Sequence, residues 1–304
     1  MATDYILFVH GVSTRNRLEF KETATDFFKR IVQSFPDGLR EFKPIILFWG
    51  DVNLEAETRL RDNLEKSDTW KRFWFQDFRV NQLMQFVGDA ALYISRHVGT
   101  QVLQRLVDEA LPQLEGARPG DRLHLVTHSW GTVILFDILF AARWEDLKLD
   151  EGIRQRVQRL RNALFGLKPN PELGVPIASI HTMGSPISLF SLVTLTGAST
   201  HDFTPKLEEL LESLFNQTNK PIPWQNFAHP GDPVAWPLEK VIPMLLASSA
   251  QFVSIEDVIT HNADLSDFLS QPVSQTLLAL LHGGDAHQSY WTSKEVTKKI
   301  SEVI

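Results

Sequence analysis

The run Leu123-His124-Leu125-Val126-Thr127 passes through His128-Ser129-Trp130-Gly131 directly into 132–144, a stretch that is apolar nearly all round. This junction restricts the fold more than any other part of the chain. A short apolar run reads as a buried strand and an all-round apolar segment as a buried helix, so the chain must turn from one into the other within a few residues. Such a turn strains the backbone of the serine at its apex, needs small residues two positions away on either side, and lifts Oγ above the C-terminal edge of a sheet. Gly131 supplies one small position; Thr127 stands where the G-x-S-x-G pattern has its first glycine. The competing reading is a serine that merely caps the helix.

The rest of the chain repeats this alternation. Strands are expected at Tyr5–His10, Ile45–Trp49, Leu123–Thr127, Ile177–Thr182, Trp224–Ala228 and Phe252–Ile259, the first four having the continuous apolar character of strands buried on both faces. Between them, 18–35 reads as a helix with Phe20, Phe27, Phe28, Ile31 and Val32 on its apolar side. A longer helical stripe runs from Leu83 to Ala110, ended by Pro112 and Gly116. Short apolar runs separated by helices indicate an α/β fold, a mainly parallel sheet covered on both faces. With no internal repeat or linker-like tract, the simplest organisation is one domain over 1–304 with insertions at 51–115 and 185–223.

Three further segments carry chemistry. Val9-His10-Gly11-Val12 ends the first strand, and the backbone N–H groups of Val12 and Trp130 are candidates for the two donors that an oxyanion needs. Gly11, lacking Cβ, lets that loop approach closely. Asp232, in the turn Gly231-Asp232-Pro233 after the fifth strand, is the candidate acid. His287, in Gly283-Gly284-Asp285-Ala286-His287, is the candidate base. Each has a plain alternative: Asp-Pro is a common turn starter and a histidine after two glycines is often only a loop residue. Asp257 and Asp285 are the substitute acids. His282, Asp285 and His287 also form an H-x-x-D-x-H spacing that suits a metal, although the hydrolytic reading requires neither metal nor organic cofactor. His10, His128 and His181 stand at strand ends as pocket-lining or core residues.

Composition narrows the partners. A net charge of −7 works against nucleic acid as a partner. The chain has no cysteine, which excludes disulfides, thiolate nucleophiles and cysteine-based zinc sites and fits a reducing compartment. The N-terminus enters an apolar strand with no basic region before it, so a cytoplasmic location is expected. No apolar stretch is long enough to cross a bilayer as a helix.

Taken together these segments resemble the α/β-hydrolases of the lipase and esterase kind, over most of the chain. The order Ser129, Asp232, His287 is the family's order of nucleophile, acid and base. Ile180-His181-Thr182-Met183-Gly184-Ser185-Pro186 resembles the strand-end GSP segment of many lipases, and His287-Gln288-Ser289-Tyr290-Trp291 resembles the H-x-x-Y-W context of their histidine. The resemblance implies that the sequence begins at the family's third strand, with the sheet trimmed at its N-terminus. It also implies hydrolysis of a carboxylic ester through an acyl-enzyme on Ser129, with Asp232 orienting His287. An acyltransferase using the same triad, or a ligand-binding protein that kept the fold, are the alternatives.

The insertions bear on the substrate, a small-molecule or lipid ester. Trp70, Trp74 and Phe78 recur every fourth residue beside Phe73 and Phe75, with Lys71, Arg72 and Arg79 interleaved. Core packing is one reading; a lid or a peripheral membrane contact is the other. Ile187, Leu189, Phe190, Leu192, Val193 and Leu195 form an apolar wall suited to an acyl chain. Arg154, Arg156, Arg159 and Arg161 read as a solvated helix face, with phosphate recognition the sharper alternative.

Overall fold

The computed structural model describes residues 1–35, 40–76, 79–84, 88–89, 93, 96–190, 200–261 and 286–304. Among them, six strands form one parallel sheet: β1 (Thr3–Val9), β2 (Glu41–Leu47), β3 (Arg122–His128), β4 (Ile177–Met183), β5 (Ile222–Ala228) and β6 (Val253–Ile259). Their spatial order is β2-β1-β3-β4-β5-β6. Each strand expected from the sequence is present, with no end moved by more than four residues.

The pleat explains why the strands read as unbroken apolar runs. Tyr5, Leu7 and Val9 of β1 join the larger core cluster, while Ile6 and Phe8 join a second one on the opposite face. Both faces are covered, so neither parity is polar. On the second face lie α1 (Arg17–Val32) and, at the C-terminus, α8 (Lys294–Ser301). Helix α1 starts where the Asn16 side chain accepts from the N–H groups of Leu18 and Glu19, and it buries Phe20, Ala24, Phe27 and Ile31. β6, at one edge of the sheet, has buried positions separated by exposed ones, which is why its apolar signal is weak in the sequence.

The larger cluster takes in α3 (Arg96–Leu114), α4 (Trp130–Phe140), α5 (Glu151–Asn162), α6 (Thr204–Thr218) and α7 (Val241–Leu246). Helix α2 (Leu54–Glu65) follows β2 and is mostly exposed. Two expectations need correction here. Helix α3 runs through Pro112 to Leu114, because a proline in the last turn forfeits only one intrahelical bond while Leu111 and Leu114 are buried. The arginine run of α5 is not a uniformly solvated face: Arg161 is buried and donates to the carbonyls of Ile138 and Ala141, which the end of α4 leaves without intrahelical partners.

Within the segments 51–115 and 185–223, α3 and α6 are core helices, contributing Val102, Leu106 and Ala110, and Leu207, Leu210 and Leu214. Phe73, Trp74 and Phe75 are exposed, whereas Phe78 lies outside the described residues. At the opposite, N-terminal edge of the sheet, the fully buried Asp4 carboxylate of β1 accepts two hydrogen bonds from Arg122 (2.7 and 2.8 Å) and two from Arg40. Burial opposes its ionisation, but these guanidinium bonds and His124 outweigh it and hold the carboxyl well below the usual range.

The strand order reverses between β1 and β3. The chain leaves β1 toward α1 on one face and leaves β3 toward α4 on the other, so a crevice opens at their C-terminal ends. His10-Gly11-Val12 and His128-Ser129-Trp130 both end there.

Candidate active site

Ser129 connects β3 to α4 with φ 55° and ψ −133°, a left-handed conformation that side chains with a Cβ avoid. Its N–H donates to the Met183 carbonyl at 2.9 Å, and its side chain does not cap the helix, so the capping alternative is not what the turn does. A Cβ on Gly131 would sit 2.2 Å from the His10 carbonyl oxygen, and one on Gly11 would sit 2.9 Å from Ser129 Oγ. Only glycine permits this contact between the turn and the loop after β1. Thr127, in place of the first glycine, is accommodated without distorting the turn. It is buried, and its hydroxyl shares a 2.8 Å hydrogen bond with that of Thr132 across the turn.

Asp232 and His287, 55 residues apart, meet at 2.9 Å through His287 Nδ1 and Asp232 Oδ2. Burial works against ionisation of Asp232, yet the hydrogen bonds from His287, the Val234 N–H and Tyr290 prevail and hold its pKa below the ordinary carboxylate value. An ionised Asp232 can only accept, so Nδ1 carries the imidazole proton and Nε2 presents a lone pair. Nε2 of His287 and Oγ of Ser129 are both buried and without a hydrogen-bond partner. Unsatisfied buried polar atoms are costly, so both side chains retain bonding capacity.

His128 links the halves of the site. Its Nε2–H donates to the His287 carbonyl at 2.6 Å, and the two imidazole rings lie 4.6 Å apart. Burial, with His287 beside it, lowers its pKa to about 3, so it is neutral and serves as a strut. At the other end of the crevice, Trp49 N–H donates to His10 Nε2, which leaves the proton on Nδ1 to bond the Gly11 carbonyl at 2.6 Å. His10 is likewise held neutral by burial, at about 3. Carbonyl and N–H of one trans peptide point in opposite directions, so this bond aims the Val12 N–H away from the His10 ring. His181 lies deeper, bonded to Ser179 and Gln225, and does not line the site.

Two residues that the sequence offered only inside resembling segments, with no role of their own, belong to the site. The Tyr290 hydroxyl donates to Asp232 Oδ2 at 2.8 Å and accepts from the His229 N–H at 2.8 Å, while burial and the nearby carboxylate raise its pKa and keep it protonated. Its separation of three residues from His287 was the available signal. Gly184 lies at φ 56°, where a Cβ would come within 2.7 Å of Asp232 Oδ2 and 3.1 Å of His287 Nδ1. The acid and base thus pass directly over the end of β4. Of the substitute acids, Asp257 is occupied by Asn226 and the N–H groups of Leu238 and Glu239. Asp285 and His282 lie outside the described residues, among which no histidine, cysteine or carboxylate group of three suits a metal.

A parallel sheet of this strand order, with a left-handed serine after β3, an acid after β5 and a histidine near the C-terminus, decides the architecture. The fold is that of an α/β-hydrolase. No family model and no curated protein sequence matches the chain. Solved structures to which it is similar include a dienelactone hydrolase from Anabaena variabilis, 12% identical, TM-score 0.34, covering 93% of this chain and 85% of that one. An S-formylglutathione hydrolase from Agrobacterium tumefaciens is 10% identical, TM-score 0.30, covering 99% and 84%. The phospholipase PlaB from Legionella pneumophila, in complex with thio-NAD, is 14% identical, TM-score 0.24, covering 90% of this chain and 40% of its own. The α/β-hydrolase assignment rests on the strand order and the turn at Ser129, not on these partial superpositions.

Proposed function

We propose that the chain is a serine hydrolase that cleaves a carboxylic ester through an acyl-enzyme on Ser129, with 1–304 acting as one catalytic unit. The observation that carries this reading is the left-handed Ser129, its Oγ unpartnered and buried, together with a His287 whose Nε2 lone pair is kept free by the Asp232 carboxylate. Backbone strain of this kind costs about 1–3 kcal/mol and persists where a site requires it.

In the first step His287 Nε2 takes the Ser129 proton as Oγ bonds the ester carbonyl carbon, and the carbonyl oxygen becomes an oxyanion. The N–H groups of Val12 and Trp130 are its proposed donors, each worth roughly 3 kcal/mol in the transition state. His287 then passes its proton to the departing alkoxide as the C–O bond breaks. Water, deprotonated by His287, attacks the acyl carbon, and the carboxylic acid leaves as Ser129 recovers its proton. Asp232 accepts from Nδ1 throughout and stabilises the imidazolium.

Ser129 is wholly buried, so an ester reaches Oγ only after covering groups move aside. Phe73, Trp74 and Phe75, at 45%, 82% and 73% exposure, follow α2 on the chain's path from the C-terminal end of β2, the edge that carries Ser129. Aromatic surface of this kind favours an ester presented by a lipid surface over a freely dissolved one. Among the described residues no helix is long and apolar enough to cross a membrane, so such contact would be peripheral.

The test is hydrolysis of 4-nitrophenyl esters of increasing acyl length, below and above their micellar concentration, by the protein and by Ser129→Ala. Turnover abolished in the variant, with free acid as product, supports the reading. Transfer of the acyl group to an added alcohol in preference to water would make it an acyltransferase. Equal turnover by Ser129→Ala would overturn the assignment.

A further inference from the structure

The loop that follows β1 is held from outside by a charge cluster that the ester chemistry does not use. Ser13, next to Val12, is a non-glycine residue at φ 63°, and its N–H donates to Asp89 Oδ2 at 3.0 Å. Two residues on, Arg15 grips the same carboxylate with both terminal nitrogens, Nη1 to Oδ2 at 2.9 Å and Nη2 to Oδ1 at 3.0 Å. Its Nε donates to Glu57 Oε2 at 3.1 Å, and Nη2 also reaches Glu57 Oε1. Asn53 Nδ2 completes the Asp89 shell at 2.7 Å. Asp89 is fully buried and Glu57 nearly so.

Three of these partners, Asn53, Glu57 and Asp89, come from the segment 51–115. Two carboxylates buried around one guanidinium are costly to separate from it, because a broken bond leaves a buried charge unpaired. Its planar fork, unlike a lysine ammonium, sets direction as well as charge. The Gly11–Val12–Ser13 backbone is thereby fixed between His10 on one side and Asp89 on the other.

We infer that Arg15 is a positioning residue for the oxyanion donor. Clamped by Asp89 and Glu57, it holds the 11–13 backbone so that the Val12 N–H faces the reacting carbonyl, and the 51–115 segment thereby governs turnover. The inference rests on the proposed role of Val12. A donor displaced by a fraction of an ångström loses most of its transition-state contribution while ground-state binding of the ester is unaffected.

The experiment compares Arg15→Gln, Arg15→Lys and Asp89→Asn with the parent on 4-nitrophenyl acetate, together with inhibition by an alkyl trifluoromethyl ketone, whose adduct carries an oxyanion. Arg15→Gln should lower kcat ~10- to 100-fold with little change in KM, and weaken the ketone in the same proportion. Arg15→Lys should recover part of both. Arg59→Gln, on the exposed side of α2 and paired with Glu55, is the charge-matched control and should behave as the parent. Should Arg15→Gln fail to fold, Asn53→Ala removes one Asp89 contact and should give a smaller parallel loss of kcat and ketone affinity. Folded Arg15→Gln and Asp89→Asn proteins with parental kcat and ketone affinity would overturn the inference. If Ser129→Ala retained turnover instead, the underlying hydrolase reading would fail, and that result is separate.

Discussion

Tyr290→Phe removes one oxygen from the molecule, and its consequences can be worked out from three contacts. The hydroxyl donates to Asp232 Oδ2 and accepts from the His229 N–H, both at 2.8 Å, and Tyr290 is completely buried. A hydrogen bond to a charged group contributes ~1.5–3 kcal/mol, and a buried N–H left without an acceptor costs ~1–3 kcal/mol. With partial relaxation the variant should lose about 3 kcal/mol, a Tm lower by roughly 5 °C for a chain of this size. Asp232 keeps its bonds to His287 and Val234, so kcat should fall only about tenfold, equivalent to ~1.4 kcal/mol. The pH dependence follows from the sign of the Asp232 shift. Its carboxyl is depressed in the folded state, so its ionisation stabilises the protein above the unfolded value near ~4 and that contribution is lost as pH falls. Without Tyr290 the depression is smaller, and acid unfolding should begin at higher pH. Thermal melts from pH 7 down to 3, with kcat measured alongside, test this. An unchanged Tm and acid midpoint would refute the reasoning.

Other perturbations separate chemistry from folding. Asp232→Asn offers an amide N–H to His287 Nδ1, which moves the imidazole proton to Nε2, and kcat should fall ~10⁴-fold, with Tm lowered as well because the charge-assisted bonds to the carboxylate are lost; near-normal turnover would require another acid. Ser129→Gly relieves the left-handed strain and should raise stability by about 1–3 kcal/mol in denaturant titration while turnover vanishes. Asp4→Asn breaks a buried pair of arginine contacts and should cost ~3–5 kcal/mol at pH 7 by the same assay. Because Asp4 is depressed in the folded state, the gap between parent and variant should narrow as pH drops below ~4, and a gap constant with pH would contradict its assigned cause.

Much of the fold was legible because strands buried on both faces leave unbroken apolar runs, as in Ile6-Leu7-Phe8-Val9 and Leu125-Val126, while an all-round apolar segment such as α4 has no other home than a core. The pairing of Asp232 with His287 was expected from the order of nucleophile, acid and base in the family that the sequence resembles, and the two side chains lie in contact. Residues whose partners are remote in sequence were not legible. Tyr290 stood out only by resemblance to the context of a catalytic histidine, and its partner Asp232 lies 58 positions away. Asp4 and Arg122 are separated by 118 positions, and Arg15 and Asp89 by 74. Arg161 looked solvated because helical period places a side chain on a face without telling which carbonyls lie opposite. Exposure of Phe73, Trp74 and Phe75 could not be read from their apolar character, which fits a core equally well.

The central claim, an activated Ser129, is tested most directly by intact-mass detection of a fluorophosphonate adduct on the parent protein and on Ser129→Ala, followed by peptide mapping. The account predicts a single adduct on Ser129 that is absent from the variant and strongly slowed in Asp232→Asn, since the probe needs the same proton transfer to His287. No adduct on folded protein after long exposure, or an adduct that persists in Ser129→Ala, would contradict it.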